Sequence, residues 1–315
     1  MLNPKFKILT FSIFIFCLLF CNLTVNGTVN GFNEMSQEFS PTPSDTVEKT
    51  KIIRDTFSFK YHFQKGDTLI YSVFSRDSII INYGAPLLRL RHEKIMLTCD
   101  SITPEGDFCL TQKLISFRSS ESFLNEKNIQ RNTTPWLNVP VFLELDSMGR
   151  RKKSYHPDTL NGALTPGGAF QPFLLLPLLD SNDNVNRKLT NESWMFTRTD
   201  DIHENGLPIP LLRYSLLYRM IGFVDTLEYK SLLKMTFIKT SQGSIVVKSD
   251  DLDVATASIN NAGGEIFWDT TNWVPILYFQ TVEQRLTIYD EEGQTVPGFH
   301  YIYSTFVLDD FIRMP

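Results

Sequence analysis

Two aspartate–threonine pairs are the residues of this chain closest to reaction chemistry: Asp225-Thr226 within FVDTL and Asp269-Thr270 within WDTT. Two such carboxylates sharing one proton would make a hydrolase of the aspartic-protease kind, because like charges in contact cannot both ionise. That active-site loop needs Gly directly after Asp-Thr, so that the backbone can turn tightly. Leu227 and Thr271 stand there instead, and Asp-Thr recurs at Asp67-Thr68, as expected of a common strand-end pair. A hydrolase using Asp225 and Asp269 is therefore the enzymatic alternative, and a non-enzymatic protein is the main expectation.

Other chemistry is sparse. No stretch matches a G-x-S-x-G elbow, an H-E-x-x-H zinc helix, a P-loop or a dinucleotide glycine pattern. His62, His92, His156, His203 and His300 lie far apart, none with a second His or Cys at ligand spacing. Each reads as a surface or strand-end imidazole, and neither a metal nor a cofactor is expected. Asp180, Asn182 and Asn184 fall at positions one, three and five of a calcium loop, but Val185 replaces its Gly and Asn191 its closing Glu. A solvated loop is the expectation there, and Arg150-Arg151-Lys152-Lys153 reads as a charged hairpin tip. Cys99 and Cys109 can bridge across a hairpin in an oxidising compartment, or form one buried and one partly exposed thiol. Simple alternation puts them on opposite faces, so a bridge needs a bulge.

The remaining candidate chemistry is apolar. Residues 165–192 form a joint of leucine and phenylalanine broken by Pro172 and Pro177, which neither a regular helix nor a central strand tolerates. It reads as an extended connector pressed into an apolar surface. Phe170, Phe173, Leu174 and Leu176, with Trp194, are candidates to line a groove for a lipid or another hydrophobic small molecule. The alternative is that they fill the core between two halves.

Lys5 and Lys7 precede an uncharged apolar run over 8–20, the layout of a secretory signal in 1–27. Val25 and Gly27 suit ordinary cleavage, which leaves an exported protein: periplasmic, cell-surface or secreted. Lipidation at Cys21 is the alternative, and an N-terminal anchor is the one membrane attachment the sequence offers. Residues 28–56 are polar and Pro-containing, and read as a flexible tether. A net charge of −5 argues against nucleic acid, which needs clustered excess cations.

With 25 Phe and 11 Tyr in 315 residues, the composition favours pleated, half-buried surfaces. Phe57, Phe59, Tyr61 and Phe63 alternate with polar residues ahead of Lys65-Gly66-Asp67, then Leu69, Tyr71 and Val73 continue the alternation, which predicts a hairpin. Further strands are expected over 94–100, 108–114, 189–196, 274–289 and 297–309, and a hairpin over 141–155, with turns at 103–106, 146–149, 241–243, 260–264, 269–272 and 290–293. Residues 87–117 and 211–239 share an upstream Gly and Pro, a Leu-Leu-Arg and an out-and-back layout, as if one β unit were used twice. The expectation is all-β: two repeated antiparallel units, 57–164 and 193–315, with long strands curling into a half-barrel or partly open barrel.

The FQKGDTLIYSV start, the LLLPLLD joint running to NESW, the duplicated strand pair and the NAGGEIFWDTTN turn resemble an uncharacterised family of exported bacterial β-sheet proteins. In that family a Leu-Pro-rich joint and a Gly-Asp-Ser-Trp-like motif introduce the second half; Asn191-Glu192-Ser193-Trp194 stands in that place here. The resemblance implies an envelope protein, carries no catalytic residue, and leaves a structural or adhesion module as a further alternative.

Overall fold

A computed structural model of the chain describes residues 57–123, 128–134, 136–155, 175, 178, 187–188, 190–200, 203–204, 207–208, 212–226, 229–249, 252–289 and 294–313. The signal, the tether, the calcium-like loop and most of the joint lie outside them. Among the described residues there are strands and no helix: β1 (Phe57–Ser58), β2 (Thr68–Ile81), β3 (Leu87–Ile102), β4 (Phe108–Ser122), β5 (Ile129–Arg131), β6 (Pro140–Leu145), β7 (Arg151–Tyr155), β8 (Arg187–Lys188), β9 (Ser193–Asp200), β10 (His203–Glu204), β11 (Leu207–Pro208), β12 (Leu212–Val224), β13 (Leu232–Ser249), β14 (Leu252–Asp269), β15 (Val274–Tyr289) and β16 (Thr295–Ile312).

One large sheet runs in the order β11-β10-β7-β6-β4-β3-β2-β16-β15-β14-β13-β12-β9, with β5 beside β4; the two-residue strands β1 and β8 pair apart from it. It is antiparallel except for a single parallel bridge, Glu204 to Ser154. From β2 the chain meanders outward to β7, crosses to β9 at the opposite edge, returns beside β7 for the two-residue β10 and β11, and meanders from β12, next to β9, back until β16 pairs with β2. The two halves expected from the sequence are therefore one continuous sheet, joined at the β2–β16 ladder.

Alternation selects which face is covered. Leu69, Tyr71 and Val73 of β2 are buried, as are Leu216, Tyr218 and Met220 of β12 and Met235 and Phe237 of β13. The same face carries Phe59, Tyr61 and Phe63, which also alternate but do not form the expected hairpin. Both edges of β2 are already taken, by β3 and by β16, so this segment has no strand to join. It lies across the inner face instead. Phe63 meets Phe108 of β4 at 5.2 Å, and Phe59 meets Trp194 of β9 at 5.3 Å between ring centroids.

That pair of contacts requires curling. From β4 to β9 is eight strand spacings, roughly 38 Å in a flat sheet, whereas five extended residues reach at most about 14 Å. The sheet is wrapped around the segment as an open barrel. Its gap is spanned by Leu178 of the joint: the backbone N–H donates to Met148 O in the β6–β7 turn (2.8 Å), and its carbonyl accepts from Trp194 Nε1 on β9 (2.9 Å).

Two expected turns are unbroken strand. Residues 241–243 lie inside β13 and 260–264 inside β14. Glycine marks curvature there, not reversal: a Cβ on Gly264 would sit 1.9 Å from Phe279 O and 2.8 Å from Phe237 Cε1. An aromatic ring thus covers glycine backbone where the strand bends. The turns expected at 103–106 and 146–149 form, with Gly106 and Gly149 at positive φ and their N–H groups bonded back to Thr103 O (2.9 Å) and Asp146 O (2.9 Å).

Candidate functional site

The inner face has two halves. Its apolar half is filled by the chain itself, through Phe59, Tyr61, Phe63, Leu175, Leu178 and their neighbours. Its other half is polar, and the strand registers lay it out in rows. One row reads Ser119, Arg91, Ser75, Ser304, Gln280, Gly264, Phe237, Tyr218 and Trp194 from β4 to β9. The next reads Glu121, Arg89, Asp77, Ile302, Val282, Ala262, Lys239 and Leu216. A third reads Ile79, His300, Gln284, Asn260, Ser241 and Tyr214.

The carboxylates of these rows are paired with guanidiniums. Asp77, wholly buried, accepts from Arg89 Nε and Arg91 Nε, both at 2.7 Å, and from Arg91 Nη2 at 3.1 Å. Arg91 Nη1 also donates to Glu93 at 3.0 Å, and His300 Nε2 lies 3.6 Å from Asp77. Burial alone would raise the Asp77 carboxyl, but Arg91, Arg89 and His300 together hold it well below the usual carboxylate range. Burial lowers His300, with the Asp77 carboxylate opposing. Glu121 pairs with Arg131 at 3.0 Å, and Lys239 Nζ lies 5.7 Å from the Tyr214 ring centroid.

The uncharged groups are less complete. Ser75 and Ser304 bond each other at 2.9 Å. Gln280 accepts from Tyr278 OH at 2.7 Å, and Asn260 Nδ2 donates to Ser241 Oγ at 3.4 Å. Beyond these, Gln280 Nε2, Asn260 Oδ1 and Ser119 Oγ have no hydrogen-bond partner among the described residues, although the three residues are only 3%, 8% and 3% exposed. Each such group costs about 1–3 kcal/mol if left unmet.

The residues singled out from the sequence lie elsewhere. Asp225 ends β12, where its Oδ1 accepts from Ser231 N at 2.9 Å; Asp269 ends β14, accepting from Thr271 N at 2.8 Å and Asn272 Nδ2 at 2.7 Å. β13 runs between them, so their backbones stand about 10 Å apart, and each carboxylate serves its own turn. Trp194 is buried between Phe59 and Tyr218 as core. Phe170, Phe173, Leu174 and Leu176 lie outside the described residues. Cys99 and Cys109 are free thiols: Cys99 is buried, its thiol pushed up to about 12, chiefly by burial, while Cys109 is half-buried. A bulge after Cys99 sets Cys109 opposite Ser101.

His62 is exposed beside Trp273, and His92 stacks on Phe74 at 4.4 Å on the outer face. His300 is the exception to a surface or strand-end placement, because it points inward toward Asp77. Among the described residues no three His, Cys, Asp or Glu side chains gather as metal ligands. One signal for the site was present in the sequence. In LLRLRHEKIMLTC, Arg89, Arg91 and Glu93 are in phase with buried Leu87, Ile95, Leu97 and Cys99, which places charge on the covered face.

Compared with known proteins, the chain matches no family model and no curated sequence.

Proposed function

We propose that this is a non-enzymatic protein, exported to the bacterial envelope, which binds a small amphipathic or hydrophobic molecule on the inner face of its open barrel. One observation carries the proposal: three deeply buried polar atoms, on Gln280, Asn260 and Ser119, have no hydrogen-bond partner among the described residues. Gln280 and Asn260 lie toward an aromatic wall of Tyr278, Phe237 and Tyr214. A bound molecule with an apolar body and hydrogen-bonding groups supplies what both surfaces need. Export is supported by the basic, then apolar, N-terminal segment.

Native mass spectrometry of protein purified gently from its own envelope tests this. A constant added mass, lost when the protein is denatured, is the expected result. A bare polypeptide mass, together with no thermal shift from any amphiphile added back, would rule the proposal out.

A further inference from the structure

We infer that the ligand of the inner face carries an uncharged, hydroxyl-bearing head group, and that carboxylate and phosphate head groups are rejected. This rests on the binding proposal above and narrows it to a chemical class.

The first ground is charge balance. Asp77 is held between Arg89 and Arg91, Arg91 is shared with Glu93, and Glu121 is paired with Arg131. Lys239 is engaged over Tyr214. Each inward carboxylate and guanidinium of these rows is thus already paired, and the Lys239 ammonium lies over an aromatic face. An anionic head group entering here would lose its hydration without gaining a cation of its own, a penalty of several kcal/mol.

The second ground is what is left unmet. Gln280 offers an N–H and Asn260 a carbonyl oxygen, so the two amides together ask for an acceptor and a donor. An alcohol is both. A carboxylate or phosphate only accepts, and leaves one amide unanswered. A hydroxyl satisfies either end of each amide.

The third ground is spacing. Gln280 and Gln284 are four residues apart on β15, roughly 13 Å along the strand. Between their rows runs an apolar strip of Ile302, Val282 and Ala262. A molecule with hydroxyls at separated points around an apolar middle fits that alternation, whether it arrives as a neutral lipid head group or as a free sugar. A site built around buried amides discriminates strongly, because a wrong ligand leaves them unpaired.

Isothermal titration of the full exported chain at neutral pH, with octyl glucoside, octanoate, octyl phosphate and glucose, separates the possibilities. Octyl glucoside, kept below its micelle concentration, is expected to bind at least tenfold more tightly than either anionic amphiphile. Asn260→Leu is expected to remove that preference while leaving the ligand-free melting temperature within a few degrees. Gln280→Met, which removes the other amide, serves as the second variant if the first fails to fold. Equal or tighter binding of octanoate or octyl phosphate would overturn the head-group inference and leave the amphiphile proposal standing. Glucose binding as tightly as octyl glucoside would support the head-group inference and remove the lipid from the proposal. Binding by none of the four would overturn both.

Discussion

Asp77 is the residue on which the polar half depends. It is buried beneath two guanidiniums, so Asp77→Asn removes the charge that compensates Arg89 and Arg91. Losing one member of a buried, multiply bonded pair costs about 3–5 kcal/mol, which urea denaturation would register as a lower midpoint at unchanged slope. The same cluster sets an acid dependence. Burial depresses His300 below its ordinary 6.5, so between the two values the unfolded chain binds more protons than the folded one. The stability this contributes is complete above pH 6.5 and is lost as pH falls through the folded value. Asp77 adds a second loss below its ordinary 3.8, continuing toward its depressed folded value. Melting curves recorded from about pH 7 down to 5 should fall in the wild type and flatten in His300→Gln. The slope that remains includes the contributions of His62 and His92, which burial also lowers. An unchanged slope in His300→Gln would mean the imidazole is already hydrated in the fold. Glycine provides a contrast at this scale. Gly264→Ala forces a methyl group into Phe279 O and the Phe237 ring, and should cost about 3 kcal/mol. Gly106→Ala meets nothing within 4 Å and pays only for its φ of 88°, about 1 kcal/mol. Differential scanning of the two variants would show which effect is larger.

Among the elements, the segment before β2 behaves as core although it belongs to no ladder beyond Phe57–Ser58. Phe59→Ala should cost about 3–5 kcal/mol, as for any fully buried ring. The end of the segment is held by Arg313, whose Nε and Nη2 grip Asp67 at 3.1 and 2.8 Å, with Nη2 also on His62 O at 3.1 Å. Arg313 is about a third exposed, so Arg313→Met should cost nearer 1 kcal/mol than the full cost of a buried pair. A double-mutant cycle with Asp67→Asn measures that coupling. Alternation made the strands legible: β15 occupies the expected 274–289, and the β3–β4 and β6–β7 turns fall where Gly and Pro place them. It also identified Phe59, Tyr61 and Phe63 as one buried face. What it cannot carry is the partner. Period two is the same whether a segment joins a sheet edge or lies across a sheet's face, so the hairpin expected there was the wrong one of two equivalent solutions. Asn260 to Gly264 misled for a similar reason, since the residues that permit reversal also permit tight curvature. The site itself was half visible. Arg89, Arg91 and Glu93 share the buried phase of β3 within the sequence, but Gln280 and Asn260 are brought onto one face only by the register of the β14–β15 ladder.

At the scale of the whole molecule, one sheet implies one cooperative unit. The β2–β16 ladder runs from Thr68–Ile312 to Ile81–Gly298 and passes through the Ser75–Ser304 bond, so the two halves share strands, charges and core. Urea unfolding should show a single transition with coincident fluorescence and circular dichroism. Expressed alone, 57–164 should lack the fixed tertiary signal of the intact chain, and two separated transitions would contradict the shared sheet. The seam also has a history in time. The central strand of this protein is the first long one to leave the ribosome, and its partner is the last. Until residues 295–312 arrive, β2 carries a row of unsatisfied amides and carbonyls in the middle of what will become the sheet, a template for any passing strand. That open edge makes the nascent chain a natural client for chaperones that shield unpaired backbone.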